Sequence, residues 1–153
     1  MAGWNELEGA EPEFAGVVRR VFESRRHKTL ATLRRDGSPR VSGIEVEFAG
    51  GQVLMGMMPG SLKLLDLRRD PRLTVHATSD DPPAEDPSRW DGDAKISGRA
   101  VEIPDDADAP EAAGRRLRVD IDEVVLTRVG EPADHLLIES WHPGRGLERR
   151  KRT

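Results

Sequence analysis

Between Lys28 and Met58 two glycine-marked turns divide the chain into short segments, and this punctuation constrains the fold more than any other feature. Lys28–Arg34, KTLATLR, reads as a strand, and Asp36-Gly37 is a tight-turn signal. Pro39–Phe48, PRVSGIEVEF, alternates in polarity: Ile44, Val46 and Phe48 share one face, and Glu45 and Glu47 share the other. Gly50-Gly51 marks a second turn, and Gln52–Met58 reads as a third strand. Turns this short join antiparallel neighbours, so the three segments are expected to form a meander. The β rhythm then breaks. Pro59-Gly60 ends the strand, Ser61 suits a helix N-cap, and Leu62, Leu64, Leu65 and Leu67 give the helix a broad apolar face before Pro71 stops it.

Strand patterns resume at Arg72–Thr78, Lys95–Ile103, Asp122–Val129 and His135–Trp141. An earlier helix is marked by Pro12 in its first turn and by the stripe Phe14, Val17, Val18, Val21 and Phe22. Residues 1–10 lack periodicity and are expected to be loosely held, and residues 11–153 to form a single domain. Residues 79–93 read as an acidic, proline-rich loop, residues 104–119 as a polar stretch with a short helix, and the end, HPGRGLERRKRT, as turn-rich and basic. The sum is a mainly β (α+β) chain with about six strands and two or three helices. Short strands with few bulky aromatics point to a small closed barrel, which hides its sheet edges.

With 36% hydrophobic and 34% charged residues the core must be lean, and a subunit interface is expected to supply further burial. A net charge of -4 disfavours nucleic acid as a partner, since that affinity rests on cation–phosphate attraction. The absence of cysteine excludes disulfides and thiol chemistry. No apolar run approaches the roughly 20 residues that span a bilayer, and the acidic start has no signal-peptide pattern, so a cytoplasmic protein without a membrane partner is expected. His27, His76, His135 and His142 form no metal-like pair, and no HExxH is present, so no metal is expected. Glu45 and Glu47 read as a solvated strand edge rather than an acid–base pair. Arg149-Arg150-Lys151-Arg152 reads as a solvated terminus or a cover over a bound phosphate.

The helix opening raises a sharper question. A helix N-terminus presents free N–H groups and a positive dipole end. Here Gly60 permits close backbone approach, Ser61 adds a hydroxyl and Lys63 a full charge. A capped surface helix explains the same residues. The order TLATLRRDGSPRVSGIEVEF then QVLMGMMPGSLKLLDLRRDPRLTVH tips the balance, because it resembles the FMN-binding split barrel of the pyridoxamine 5'-phosphate oxidase family over roughly residues 14–150.

The resemblance implies a split β-barrel homodimer with flavin-type cofactors at the subunit interface. Carried over by position, Ser61 and Lys63 hold the cofactor phosphate with Arg40, while Val41 and Ser42, and Met57 and Met58, run beside the ring, partly through backbone groups. Trp141 reaches the cofactor from the other subunit, with Arg145 a looser match. Members of the family also use the deazaflavin F420, and a few bind haem or biliverdin. Where pyridoxamine phosphate oxidases carry a lysine this chain has Glu45, Leu62 replaces an arginine, and the C-terminal substrate motif is missing from GRGLERRKR. The expectation is therefore an FMN- or F420-dependent oxidoreductase that passes a hydride to a small conjugated substrate but does not oxidise pyridoxamine phosphate. The alternative is a non-enzymatic binder of flavin, haem or tetrapyrrole.

Overall fold

The computed structural model describes residues 2–104 and 114–153. Helices α1 (Trp4–Ala10) and α2 (Pro12–Glu23) precede strands β1 (Lys28–Leu33), β2 (Pro39–Ile44), β3 (Val46–Ala49) and β4 (Gln52–Met57). Helix α3 (Leu62–Arg69) follows, then β5 (Arg72–Thr78), a short 3-10 turn (Pro87–Arg89), β6 (Asp93–Glu102), β7 (Arg115–Val129), β8 (Leu136–His142) and β9 (Gly146–Arg152). The fold is mainly β with flanking helices, and every strand pair is antiparallel. The nine described strands exceed the expected six or so.

The sheet runs β2-β1-β5-β6-β7-β4-β3, with β8 and then β9 continuing from the far half of β7. It is split rather than closed, which corrects the expectation of a closed barrel, and two further expectations are corrected with it. Pro39–Phe48 is not one strand, and the first segments are not a meander. The β1–β2 ladder ends at Lys28↔Ile44, where β1 itself begins, so the chain beyond Ile44 has no partner on that edge. It breaks at Glu45 and pairs β3 with β4 at the other end of the sheet. β2 and β3 are thus the two ends of the sheet path, joined covalently through one residue.

The core lies between the sheet and α2. Val18, Val21 and Phe22 are fully buried against Leu30, Val75, Ile96, Ile121 and Leu126. Each such side chain contributes about 1.5–3 kcal/mol relative to exposure. Gly98 sits at the β6–β7 register shift, where a Cβ would come within 2.0 Å of the Asp120 carbonyl oxygen. The turn that follows α2 is held by Lys28, whose Nζ donates to the Arg25 and Arg26 carbonyls. Burial pushes the Lys28 amine below its ordinary pKa, opposed by the charges of Glu45 and Glu23.

Three further expectations are corrected. Residues 4–10 do not fray: Trp4 and Leu7 are buried, Trp4 meets Phe48 edge-on at 4.7 Å, and Asn5 N donates to Gly51 O at 3.0 Å. A seven-residue helix is marginal by itself, so these contacts are what hold it. The basic tail is not turn-rich throughout, because Gly146–Arg152 forms β9. Of the helix expected in 104–119, residues 105–113 lie outside the described residues, and Arg115–Val119 already belong to β7. No described helix is long and apolar enough to cross a membrane.

Candidate functional site

Helix α3 packs beside β1 and opens as its sequence dictates. Gly60 takes φ +73° in the turn from β4, and Ser61 is extended, with its Oγ accepting from Leu64 N at 3.4 Å. The expected broad apolar face is only half realised. Leu64 and Leu67 are buried, but Leu62 is 58% and Leu65 46% exposed, and Asp66 is buried among them.

Asp66 organises the seam between α3 and the β1–β2 hairpin. Its Oδ2 accepts from Thr32 Oγ1 at 2.8 Å and from Arg40 Nε at 2.7 Å, and its Oδ1 accepts from Arg69 Nη2 at 3.0 Å. Arg69 Nη2 also donates to the Leu33 carbonyl at 2.9 Å. Burial pushes the Asp66 carboxyl upward in pKa, but the hydrogen bonds from Arg40, Thr32 and Arg69 outweigh it and hold the group below its ordinary value. At the other end of the seam Lys63 Nζ donates to the Gly43 carbonyl at 2.6 Å, tying α3 to the end of β2.

An open cleft of about 780 Å³ lies along this seam. Arg34, Arg35, Arg40, Arg68 and Arg69 line it against two carboxylates, Asp36 and Asp66, and Leu62 and Leu65 supply apolar surface. Five cations against two anions make it an anion-attracting cleft. A smaller cavity of about 370 Å³ lies over β3 and β4, lined by Glu45, Glu47, Met55 and Arg116 among others. Glu45 is held there by Arg26 at 2.8 Å and His27 at 3.6 Å, and Glu47 faces Arg116 at 3.7 Å.

Of the residues singled out from sequence, Arg40 on β2, Ser61 at the N-cap of α3 and Lys63 in its first turn border one seam. Ser42 Oγ, two residues along β2 from Arg40, is shielded from solvent and makes no hydrogen bond among the described residues. Val41 points outward at 68% exposure, and Met58, between β4 and α3, is 79% exposed. Met57 is buried, so only its backbone is available to a ligand. Trp141 is 3% exposed and packs in the core, which leaves its ring no surface to offer a second subunit. Arg145 is exposed in the turn between β8 and β9. Sequence reasoning missed Asp66, Thr32, Arg34, Arg35 and Arg69. An acidic residue inside a leucine-rich helix, three positions before an arginine, was the available signal.

The histidines pair singly with carboxylates: His142 Nε2 with Glu123 at 2.8 Å, His135 Nδ1 with Asp134 at 2.8 Å, and His76 with Asp93 at 3.6 Å. Among the described residues no group of three or more His, Cys, Asp or Glu could hold a metal. The basic tail is drawn inward at one point, where Arg149 Nε meets the buried Glu139 at 2.9 Å beside Arg128.

Comparison with known proteins supports the same region of fold space. The family model described as pyridoxamine 5'-phosphate oxidase matches residues 14–138. A pyridoxamine 5'-phosphate oxidase-related, FMN-binding protein from Nostoc punctiforme PCC 73102 superposes with a TM-score of 0.66 at 14% identity, covering 100% of this chain and 98% of that one. PhzG from Burkholderia lata 383, solved with tetrahydrophenazine-1-carboxylic acid, gives 0.63 at 14% identity over 99% of this chain and 96% of its own. A structure described as an F420 reductase gives 0.54 at 14% identity over 69% and 94%. At these identities the likeness establishes the fold. No curated protein sequence matches the chain significantly.

Proposed function

The chain belongs to the pyridoxamine 5'-phosphate oxidase family, and on that premise we propose that it binds a flavin-type cofactor, FMN or F420, as an oxidoreductase acting on a small conjugated substrate. One observation carries the reading: Arg40, Ser61 and Lys63 gather along the seam between β2 and the start of α3, beside an arginine-lined cleft. The residues suit such a group. Lys63 and the Nη groups of Arg40 would hold its phosphate, joined by the Ser61 hydroxyl, whose proton is free because its oxygen serves as the cap acceptor. Val41 and Met58 offer apolar surface that excludes water from the ring, whereas the buried Ser42 hydroxyl leaves only the backbone of that residue to a ligand.

When bound, such a cofactor supplies hydride transfer, and the protein's part is to orient the ring and shut out competing acceptors. This division explains why the seam holds cations and apolar groups but no acid–base pair. Glu45, Glu47 and Arg116 line the cavity over β3 and β4, and Glu45, paired with Arg26, supplies no cation for a phosphorylated substrate where pyridoxamine phosphate oxidases carry a lysine. Oxidation of pyridoxine phosphate is accordingly expected to be absent.

The test is the visible spectrum and mass of whatever small molecule copurifies, followed by fluorescence titration with FMN and with F420. A flavin or deazaflavin bound at micromolar affinity or better is the expected result. A Soret band would favour haem storage or sensing instead. Failure to bind either cofactor would overturn the proposal, and pyridoxal phosphate formation would restore the ordinary family activity.

A further inference from the structure

Asp66 is a costly residue where it stands. Its carboxylate is 4% exposed in the middle of a helix whose neighbouring inward positions are leucines. An apolar side chain would fill that position without desolvating a charge, and a buried ion pair is weak evidence of stabilisation. The partners show what the charge does. Thr32 and Arg40 stand directly opposite each other in the β1–β2 register, and one carboxylate oxygen, Oδ2, grips both. Arg69 closes the other side through Oδ1 and ties the group to the Leu33 backbone.

The grip on Arg40 is one-sided. Only Nε is engaged, and the two Nη groups make no hydrogen bond among the described residues. The Arg40 side chain is 21% exposed and lines the cleft. A guanidinium held by Nε alone keeps its forked edge free for an anion, in one fixed orientation.

We propose that Asp66 is a positioning residue for anion recognition: it holds Arg40 by Nε so that the Nη edge faces the cleft, where it receives the phosphate of the cofactor. This rests on the cofactor reading above. Asp66 touches neither phosphate nor ring; it acts through Arg40, with Thr32 and Arg69 fixing its own carboxylate.

The proposal makes a prediction opposite in sign to simple electrostatics. Removing a negative charge beside a phosphate site should tighten phosphate binding if charge alone mattered. If Asp66 positions Arg40, the neutral and nearly isosteric Asp66→Asn should instead loosen it. The experiment titrates ligand pairs that differ in the phosphate group: FMN against riboflavin, and F420 against its phosphate-free deazaflavin. The expected result for Asp66→Asn is about a tenfold loss of affinity for the phosphorylated member and no change for the other, a loss of the size that one charge-assisted hydrogen bond supplies. Thr32→Val removes one of the carboxylate's anchors while keeping its charge, and should show the same pattern more weakly. It carries the test if Asp66→Asn fails to fold. In an Arg40→Ala background neither change should have a further effect on the ratio.

An equal loss for both members of a pair would make Asp66 a structural residue only and overturn the proposal. Tighter phosphate binding in Asp66→Asn would overturn it in favour of a charge brake. An Arg40→Ala variant that keeps full phosphate preference would overturn the phosphate role of Arg40 together with the inference. With Arg40→Ala impaired and Asp66→Asn unchanged, the inference alone falls and the cofactor reading stands.

Discussion

At the scale of single residues, the helix opening has a dual burden. Lys63 is both a candidate phosphate contact and the donor to the Gly43 carbonyl. Lys63→Ala should cost about 1.5–3 kcal/mol of cofactor binding, or roughly ten- to a hundredfold in affinity. Its stability loss should be no more than that of an ordinary neutral-acceptor hydrogen bond, about 0.5–1.5 kcal/mol. Parallel titration and urea denaturation separate the two, and an unchanged affinity would remove Lys63 from the phosphate site. Asp66 makes a second residue-scale prediction, in acid. Its carboxyl is held below its ordinary value of 3.8, so it contributes stability at pH above that value. The contribution is lost as pH falls through the lower value of the folded state. Asp66→Asn abolishes the titration, so urea midpoints measured below about pH 4 should fall less steeply with acidification than in the wild type. Identical pH profiles would mean that the Asp66 ion network contributes nothing to acid sensitivity.

At the scale of elements, α1 carries the clearest prediction. Trp4 is 1% exposed, edge-on to Phe48, which in turn meets Phe22 of α2 at 5.9 Å. Trp4→Ala should destabilise the fold by about 3–5 kcal/mol, read from chemical denaturation. A loss below about 1 kcal/mol would mean that the helix is dispensable to the core. That helix also shows what local sequence can and cannot reveal. β1, β4 and β5 were legible because alternation and glycine turns are local properties. The stripe of α2 was legible for the same reason. α1 was not, because seven residues without a side-chain cap become helical only through contacts with Phe48 and Gly51. The break at Glu45 was hidden because it depends on where β1 begins, not on the alternation of PRVSGIEVEF. β9 was hidden because an edge strand of arginine and lysine has no buried face to write into its sequence. The candidate site divides likewise. Ser61, Lys63 and Arg40 could be read as a motif, whereas Asp66 acquires meaning only from Thr32 and Arg40, 34 and 26 residues away.

At the scale of the whole molecule, the question is what covers the surface around the seam. Val41, Met58, Leu62 and Leu65 are exposed on β2, on α3 and on the turn that precedes it, and all four flank the residues assigned to the cofactor. Large apolar side chains gathered beside a polar seam are costly to leave in water and commonly mark an interface. A second copy of the chain is the occupant we expect, since a symmetric pairing needs only one self-complementary patch. A stable pairing buries roughly 1,200–2,000 Å² in total, so these four residues would form its centre and not its full extent. The burial of Trp141 alters the expected division of labour: a partner that completed the site would do so through residues other than that ring. Sedimentation at micromolar concentration should therefore give twice the mass of the chain. Val41→Glu combined with Met58→Glu should shift it to the monomer while leaving the far-UV spectrum intact, because both side chains are exposed within a single chain. A wild-type monomer would refute the shared site, and a dimer that survives both glutamates would place the interface elsewhere on the molecule.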